Sequence, residues 1–182
     1  MKSYLLGVWN ALDPVYYSCT RLRYVADAQE ERSLFRVRLT RYKGRKTVLK
    51  DGTVIHKDDL LLKIHLHNVK IMNELFTVTS DTKRAVYIYH MVKRALPLLA
   101  EYVQQHKRSQ EIKGIIGITT LYQGSSRLGF ENVMIKNSYY RAYKRLTFAP
   151  INYLANSPRQ VEPVYLFMSK DELVTRYGSI SN

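Results

Sequence analysis

At 182 residues the chain has the size of one domain, and 46% hydrophobic with 24% charged residues is ordinary for a globular protein rather than a disordered one. The charge is not ordinary: 29 Lys and Arg against 15 Asp and Glu give a formal net charge of +14, which draws anionic partners such as nucleic acid, anionic lipid or an acidic polymer. A single cysteine, Cys19, excludes an internal disulfide, and no apolar run approaches the ~20 residues that span a bilayer.

Leu5, Val8, Trp9, Leu12, Tyr16 and Cys19 recur at helical spacing, which predicts a helix over Tyr4 to Leu22, or two short ones meeting at Pro14. Asn10, Asp13 and Pro14 cut its apolar run short, so it reads as part of the mature protein rather than a leader. Asp27 to Arg32 is a polar connection. Phe35, Val37 and Leu39 alternate with Arg36, Arg38 and Thr40, the pattern of a strand with one wet, positively charged face. Asp51-Gly52 between Thr47 to Leu49 and Thr53 to Ile55 signals a hairpin.

From Leu60 the alternation resumes, with Leu60, Leu62, Ile64 and Leu66 on one side and Leu61, Lys63, His65 and His67 on the other, ending at Asn68. Val69 to Phe76 fits a short helix. Ser80 or Asp81 caps the longest helix, whose stripe runs Ala85, Ile88, Tyr89, Val92, Ala95, Leu96, Leu99, Val103, with Pro97 expected to bend it. Ile112 to Tyr122 suits a strand covered on both sides, Gly124-Ser-Ser a turn, and Val133 to Ile135 a short return strand. Asn137 to Leu154 has a helical pattern rich in Tyr and Arg and interrupted by Pro150. Its expected inner face is Tyr140, Tyr143 and Phe148, with Arg and Lys outside; the alternative is a helix lying on a membrane surface. Val164 to Met168 is a last strand, and Ser169-Lys-Asp-Glu172 a capping box opening a helix that stops near Gly178. Together these predict an α+β fold in a single domain spanning 1–182: a mixed sheet with a long kinked helix and further helices packed on it.

Arg41-Tyr-Lys-Gly44, Asp51-Gly52, Ile64-His65-Leu-His-Asn68, Thr120-Leu-Tyr-Gln-Gly-Ser-Ser-Arg127-Leu-Gly129-Phe-Glu131 and Ser169-Lys-Asp-Glu-Leu173 follow one another in this order. The set resembles the YkoP-like domain family over nearly the whole chain. The family pattern puts His and Asn three apart at a strand end, and Arg-x-Gly-Phe-Glu after a turn. Carried over, it falls on His65, Asn68, Arg127, Gly129 and Glu131. In that family the domain also occurs behind polysaccharide-deacetylase-like catalytic domains, so the resemblance implies a role around envelope polysaccharide. This chain has no cluster of Asp and paired His like a deacetylase metal site, and that activity is not transferred.

Two chemistries fit these residues. In an enzyme acting on a phosphorylated or acidic carbohydrate or lipid headgroup, His65 and Glu131 form the acid/base pair while Arg127 and Asn68 hold an anion. In a structural or binding cluster, Arg127 pairs with Glu131 and Asn68 caps the next helix. Gly124 and Gly129 shape the loop, where backbone N–H groups form either a plain turn or an anion nest. His65 and His67 lie two apart as some zinc ligands do, but His56, Asp58 or Glu131 completes the set only by guesswork, so no metal and no cofactor is expected. Nucleic-acid binding rests on charge alone, without helix-turn-helix, zinc-finger or RNA-binding wording. The leading expectation is a basic cytoplasmic accessory protein at an anionic polymer or anionic membrane surface, without a transmembrane segment.

Overall fold

A computed structural model describes residues 7, 22–25, 34–66, 71, 74, 78, 80–154 and 162–178, with the backbone alone at 81 and 150–154. Most of the helix expected over Tyr4 to Leu22, the connection Asp27 to Arg32, most of the short helix Val69 to Phe76, and Cys19, His67 and Asn68 lie outside the described residues.

Alternation sets the sheet. Phe35–Arg41 (β2) pairs antiparallel with Leu60–Leu66 (β5), from Phe35 opposite Leu66 to Arg41 opposite Leu60. Cross-strand partners share a face, so Phe35, Val37, Leu62 and Ile64 all enter one core while Leu61 enters a second core on the other face. Arg23–Tyr24 (β1) lies on the outer edge of β2, and the hairpin Thr47–Val48 (β3) and Val54–Ile55 (β4) forms its own ribbon. Gly52 turns that hairpin at φ 86°, which a side chain would resist.

Asp81–Gln105 (α1) is the crossover that lets Ile112–Thr119 (β6) run parallel to β5. Ser80 accepts a hydrogen bond from the Lys83 N–H at its start, and the helix continues through Pro97. Glu131–Met134 (β7) does not return against β6. It pairs with Val164–Ser169 (β8), which inserts between them, and the sheet order is β1-β2-β5-β6-β8-β7. Ser138–Leu154 (α2) runs through Pro150 rather than breaking there. Lys170–Tyr177 (α3) opens on the expected capping box, Ser169 Oγ accepting from the Glu172 N–H at 2.9 Å. The result is the α+β architecture that the sequence predicts.

The two faces carry different loads. On one, Ala95, Leu96, Leu99, Ala100 and Val103 of α1 and Leu173 of α3 close the larger core over Leu62, Ile115 and Met168. On the other, Tyr42, Leu49 and Ile55 of the hairpin segment cover Leu61, Ile116 and Phe167. Beyond that second cluster the same face continues with Arg36, Arg38, Lys63, His65 and Tyr165.

Candidate functional site

Glu131 and His65 do not form a pair. Both stand on the hairpin side of the sheet, since Glu131 is opposite Phe167, Phe167 opposite Ile116, and Ile116 opposite Lys63. β6 and β8 nevertheless intervene, and three strand spacings are about 14 Å. The Glu131 carboxylate instead accepts the Lys50 backbone N–H at 2.7 Å, pinning the hairpin to β7. Arg127 is exposed on a short 3-10 turn, Ser125–Leu128, and makes no ion pair with a described residue, so the expected Arg127–Glu131 bridge is absent as well. Glu131→Ala is therefore expected to destabilise through the hairpin, by about 1–2 kcal/mol in urea unfolding. Glu131→Gln, which keeps an acceptor and strands no guanidinium, is expected to lose less.

The loop between is self-contained. Gly124 at φ 80° and Gly129 at φ 88° flank the turn, and the N–H groups of Ser125, Arg127 and Gly129 go to Tyr122, Gly124 and Ser126 carbonyls. Ser125 Oγ donates to Tyr122 O and shares a 2.9 Å bond with Asn132 Oδ1, and Tyr177 OH donates to Leu128 O. The backbone N–H groups of Ser125, Arg127 and Gly129 are thus used within the loop itself. Among the described residues no three His, Cys, Asp or Glu side chains gather as metal ligands.

His65 sits in different company. It faces Arg36 across the strand pair, and two residues back Lys63 faces Arg38. Arg36 is only 3% exposed, with Nη2 donating to Tyr24 OH at 2.6 Å. Nε2 of His65 is buried and has no hydrogen-bond partner among the described residues. Burial first, then the charges of Lys63, Arg38, Lys144 and Arg36, push its pKa down to about 3, so it is neutral at physiological pH. Burial, followed by Lys144 and Arg38, lowers Lys63 to about 8.

Lys144 comes from α2. Its pKa is also lowered, by burial and then by Arg38, and its ammonium lies 5.5 Å from the Tyr140 ring centre and 5.4 Å from that of Tyr143. Tyr165 of β8 has its phenol pushed up to about 12 by burial and by the neighbouring Tyr140 and Tyr42. The carboxylate of Glu162 is engaged by Arg141 and Arg145, and no described acid pairs with Lys63 or Lys144. The signal for this cluster was in the sequence, since Arg36 and Arg38 alternate on one strand and Lys63 and His65 on another. What it lacked was the pairing that puts the two rows side by side.

α2 turns two of its three expected inner residues, Tyr140 and Phe148, toward the protein, but not Tyr143. Tyr140, Lys144 and Phe148 lie on its half-buried side, but Tyr143 is 57% exposed, and Tyr139 at 89% and Leu146 at 75% look outward. With Ala142 and Ala149, also exposed, Tyr139 and Leu146 make an apolar stripe at alternating three- and four-residue spacing. A cation has gone to the inside and apolar groups to the outside.

The family model of the YkoP domain matches residues 2–177. The chain belongs to the YkoP domain family. It is 43% identical over 181 residues to Uncharacterized protein YkoP of Bacillus subtilis (strain 168), an alignment covering 97% of this chain and 98% of that protein. No solved structure matches the chain.

Proposed function

We propose that this protein is a basic accessory protein that binds an anionic membrane surface through the outward side of α2. The observation that carries this reading is the exposed stripe of Tyr139, Ala142, Leu146 and Ala149, with Lys136 and Arg145 beside it. A helix of this kind lies in the interface plane, its apolar side chains below the headgroups, its tyrosines at their level and its cations on the phosphates. The net charge of +14 supplies the long-range attraction. No described helix is long and apolar enough to cross a membrane.

The test is co-sedimentation with vesicles of neutral lipid, and with vesicles containing an anionic lipid, at low and high salt. Binding to anionic vesicles that weakens steeply with salt is expected, because screening shortens the reach of the charge to roughly 3 Å at 1 M. Leu146→Glu, at an exposed position, is expected to lower retention by about tenfold without changing the melting temperature. Equal retention of parent and variant, or preferential capture by duplex DNA at matched salt, would overturn the reading.

A further inference from the structure

We propose that the hairpin β3–β4 is a second contact of this protein with an anionic membrane, supplying the phosphate-binding cations that the α2 stripe lacks. The inference rests on the membrane reading above and adds to it the place of the charge.

The need is visible on α2. Arg141 and Arg145 are engaged by Glu162, and Lys144 lies on the half-buried side. That leaves Lys136 as the one cation beside the stripe without a carboxylate partner among the described residues. A stripe of one leucine, one tyrosine and two alanines buries little apolar area, so lasting attachment calls for more charge than the helix itself offers.

The hairpin segment holds that charge. From Arg41 to Asp59 six cations stand against three carboxylates. All three acids are occupied: Asp58 pairs with Lys43, Asp59 accepts the His56 N–H at 2.8 Å, and Asp51 accepts the Thr53 N–H at 2.9 Å. Arg45, Lys46 and Lys50 are exposed and make no ion pair with a described residue. Register decides which way the ribbon looks. Thr47 is opposite Ile55 and Val48 opposite Val54. Ile55 and Leu49 are buried in the second core, so Val48, at 61% exposure, looks outward between Lys46 and Lys50. Both ends of this row are fixed. A Cβ at Gly44 would collide with the Tyr42 phenol, so glycine lets the chain that carries Arg45 and Lys46 pass over that buried ring, and Glu131 holds the Lys50 N–H.

A valine framed by cations suits a bilayer better than a nucleic-acid backbone. The cations reach lipid phosphates while the methyl groups enter the headgroup layer, and from Arg45 to His56 there is no Tyr, Phe or Trp on which a base could stack. The two contacts also share one strand. Glu131 at the start of β7 holds the hairpin, and the Ile135 carbonyl just past its end accepts from Arg141 of α2 at 3.3 Å. At about 3.4 Å per strand residue these anchors are about 14 Å apart, close enough for one bilayer surface to meet both elements.

Co-sedimentation of the whole chain with vesicles of phosphatidylcholine, alone or with phosphatidylglycerol, tests the contact, with Lys46→Gln/Lys50→Gln set beside Leu146→Glu. A cation near an anionic surface strengthens binding by about fivefold, so the double variant is expected to lose about twentyfold in affinity. Its salt dependence should be shallower and its melting temperature unchanged. A polarity-sensitive dye on Val48→Cys, in a Cys19→Ser background, is expected to shift to the blue with phosphatidylglycerol vesicles and not with neutral ones. The same dye on Gln105→Cys, exposed on α1 across the sheet, should not respond.

A double variant retained like the parent, or a silent dye at position 48, overturns the hairpin contact, and the α2 reading then stands if Leu146→Glu still loses retention. Loss in the double variant with none in Leu146→Glu supports the hairpin and removes α2 from the contact. A parent that binds neither vesicle overturns both. Preferential capture by duplex DNA that the double variant abolishes overturns the inference in favour of nucleic acid.

Discussion

Phe167→Ala is expected to destabilise the protein by about 3–5 kcal/mol, a large part of the roughly 5–15 kcal/mol that holds a domain folded. Phe167 is fully buried in the centre of β8 and is the residue on which the hairpin side of the molecule closes. Its ring meets Tyr42 edge-on at 5.6 Å and Tyr165 at 5.8 Å, and its strand partners are Ile116 and Glu131. Truncation opens a cavity shared by two layers that are not continuous in sequence, so neighbours cannot easily collapse into it. Urea unfolding with an unchanged slope and a lower midpoint is the expected result, with a melting temperature lower by roughly 6–20 °C. A loss below about 1 kcal/mol would mean that the hairpin does not rest on the sheet as described.

Lowering the pH from about 7 to about 5 is expected to remove about 2 kcal/mol of stability through His65. In the unfolded chain this imidazole takes up a proton near its ordinary value of 6.5, whereas in the folded protein it does so only at about 3. Between those values the unfolded state binds the extra proton, so stability is complete above about 6.5 and is lost progressively as the pH falls toward 3. Burial is the main reason it resists, and the cations Lys63 on its own strand, Arg38 on β2, Lys144 on α2 and Arg36 on β2 add to it. His106, lowered by burial and by Lys107, Arg108 and Arg23, adds in the same direction. Asp51, Asp58 and Glu111, all lowered, add their own losses at more acid pH. A melting temperature that drops by roughly 4–8 °C between those two pH values, with the slope much reduced in His65→Leu, is the expected record. Superimposable profiles for parent and variant would show that His65 titrates normally.

Period and punctuation carried most of the secondary structure. Leu60, Leu62, Ile64 and Leu66 alternate because one side of β5 is core, and the stripe from Ala95 to Val103 recurs because one side of α1 is. Asp51-Gly52 and the Ser169 box are local chemistry, and they act where they stand. Pairing order is not local. Nothing in Glu131 to Met134 says that its partner is β8 rather than β6, and that placement separates Glu131 from His65.

Burial of charge was equally hidden. Arg36 alternates with core residues as a solvated side chain would, yet Tyr24 of β1 takes its guanidinium and only 3% of it stays exposed. In α2 the usual inference, apolar in and charged out, gave the wrong side for Tyr143 and for Lys144, because what a helix turns inward depends on the surface it covers.

The place of β8 bears on biosynthesis. Translation delivers β6 and β7 before the strand that must lie between them, and from Met134 to Val164 the ribosome has thirty residues still to add. At about 5–20 residues per second that interval lasts about 2–6 s, during which β6 has β5 on one side and nothing to hydrogen-bond on the other. Ile115, Ile116 and Ile118 stand along that open edge. The nascent chain, more than the finished protein, is therefore where a wrong strand could be accepted.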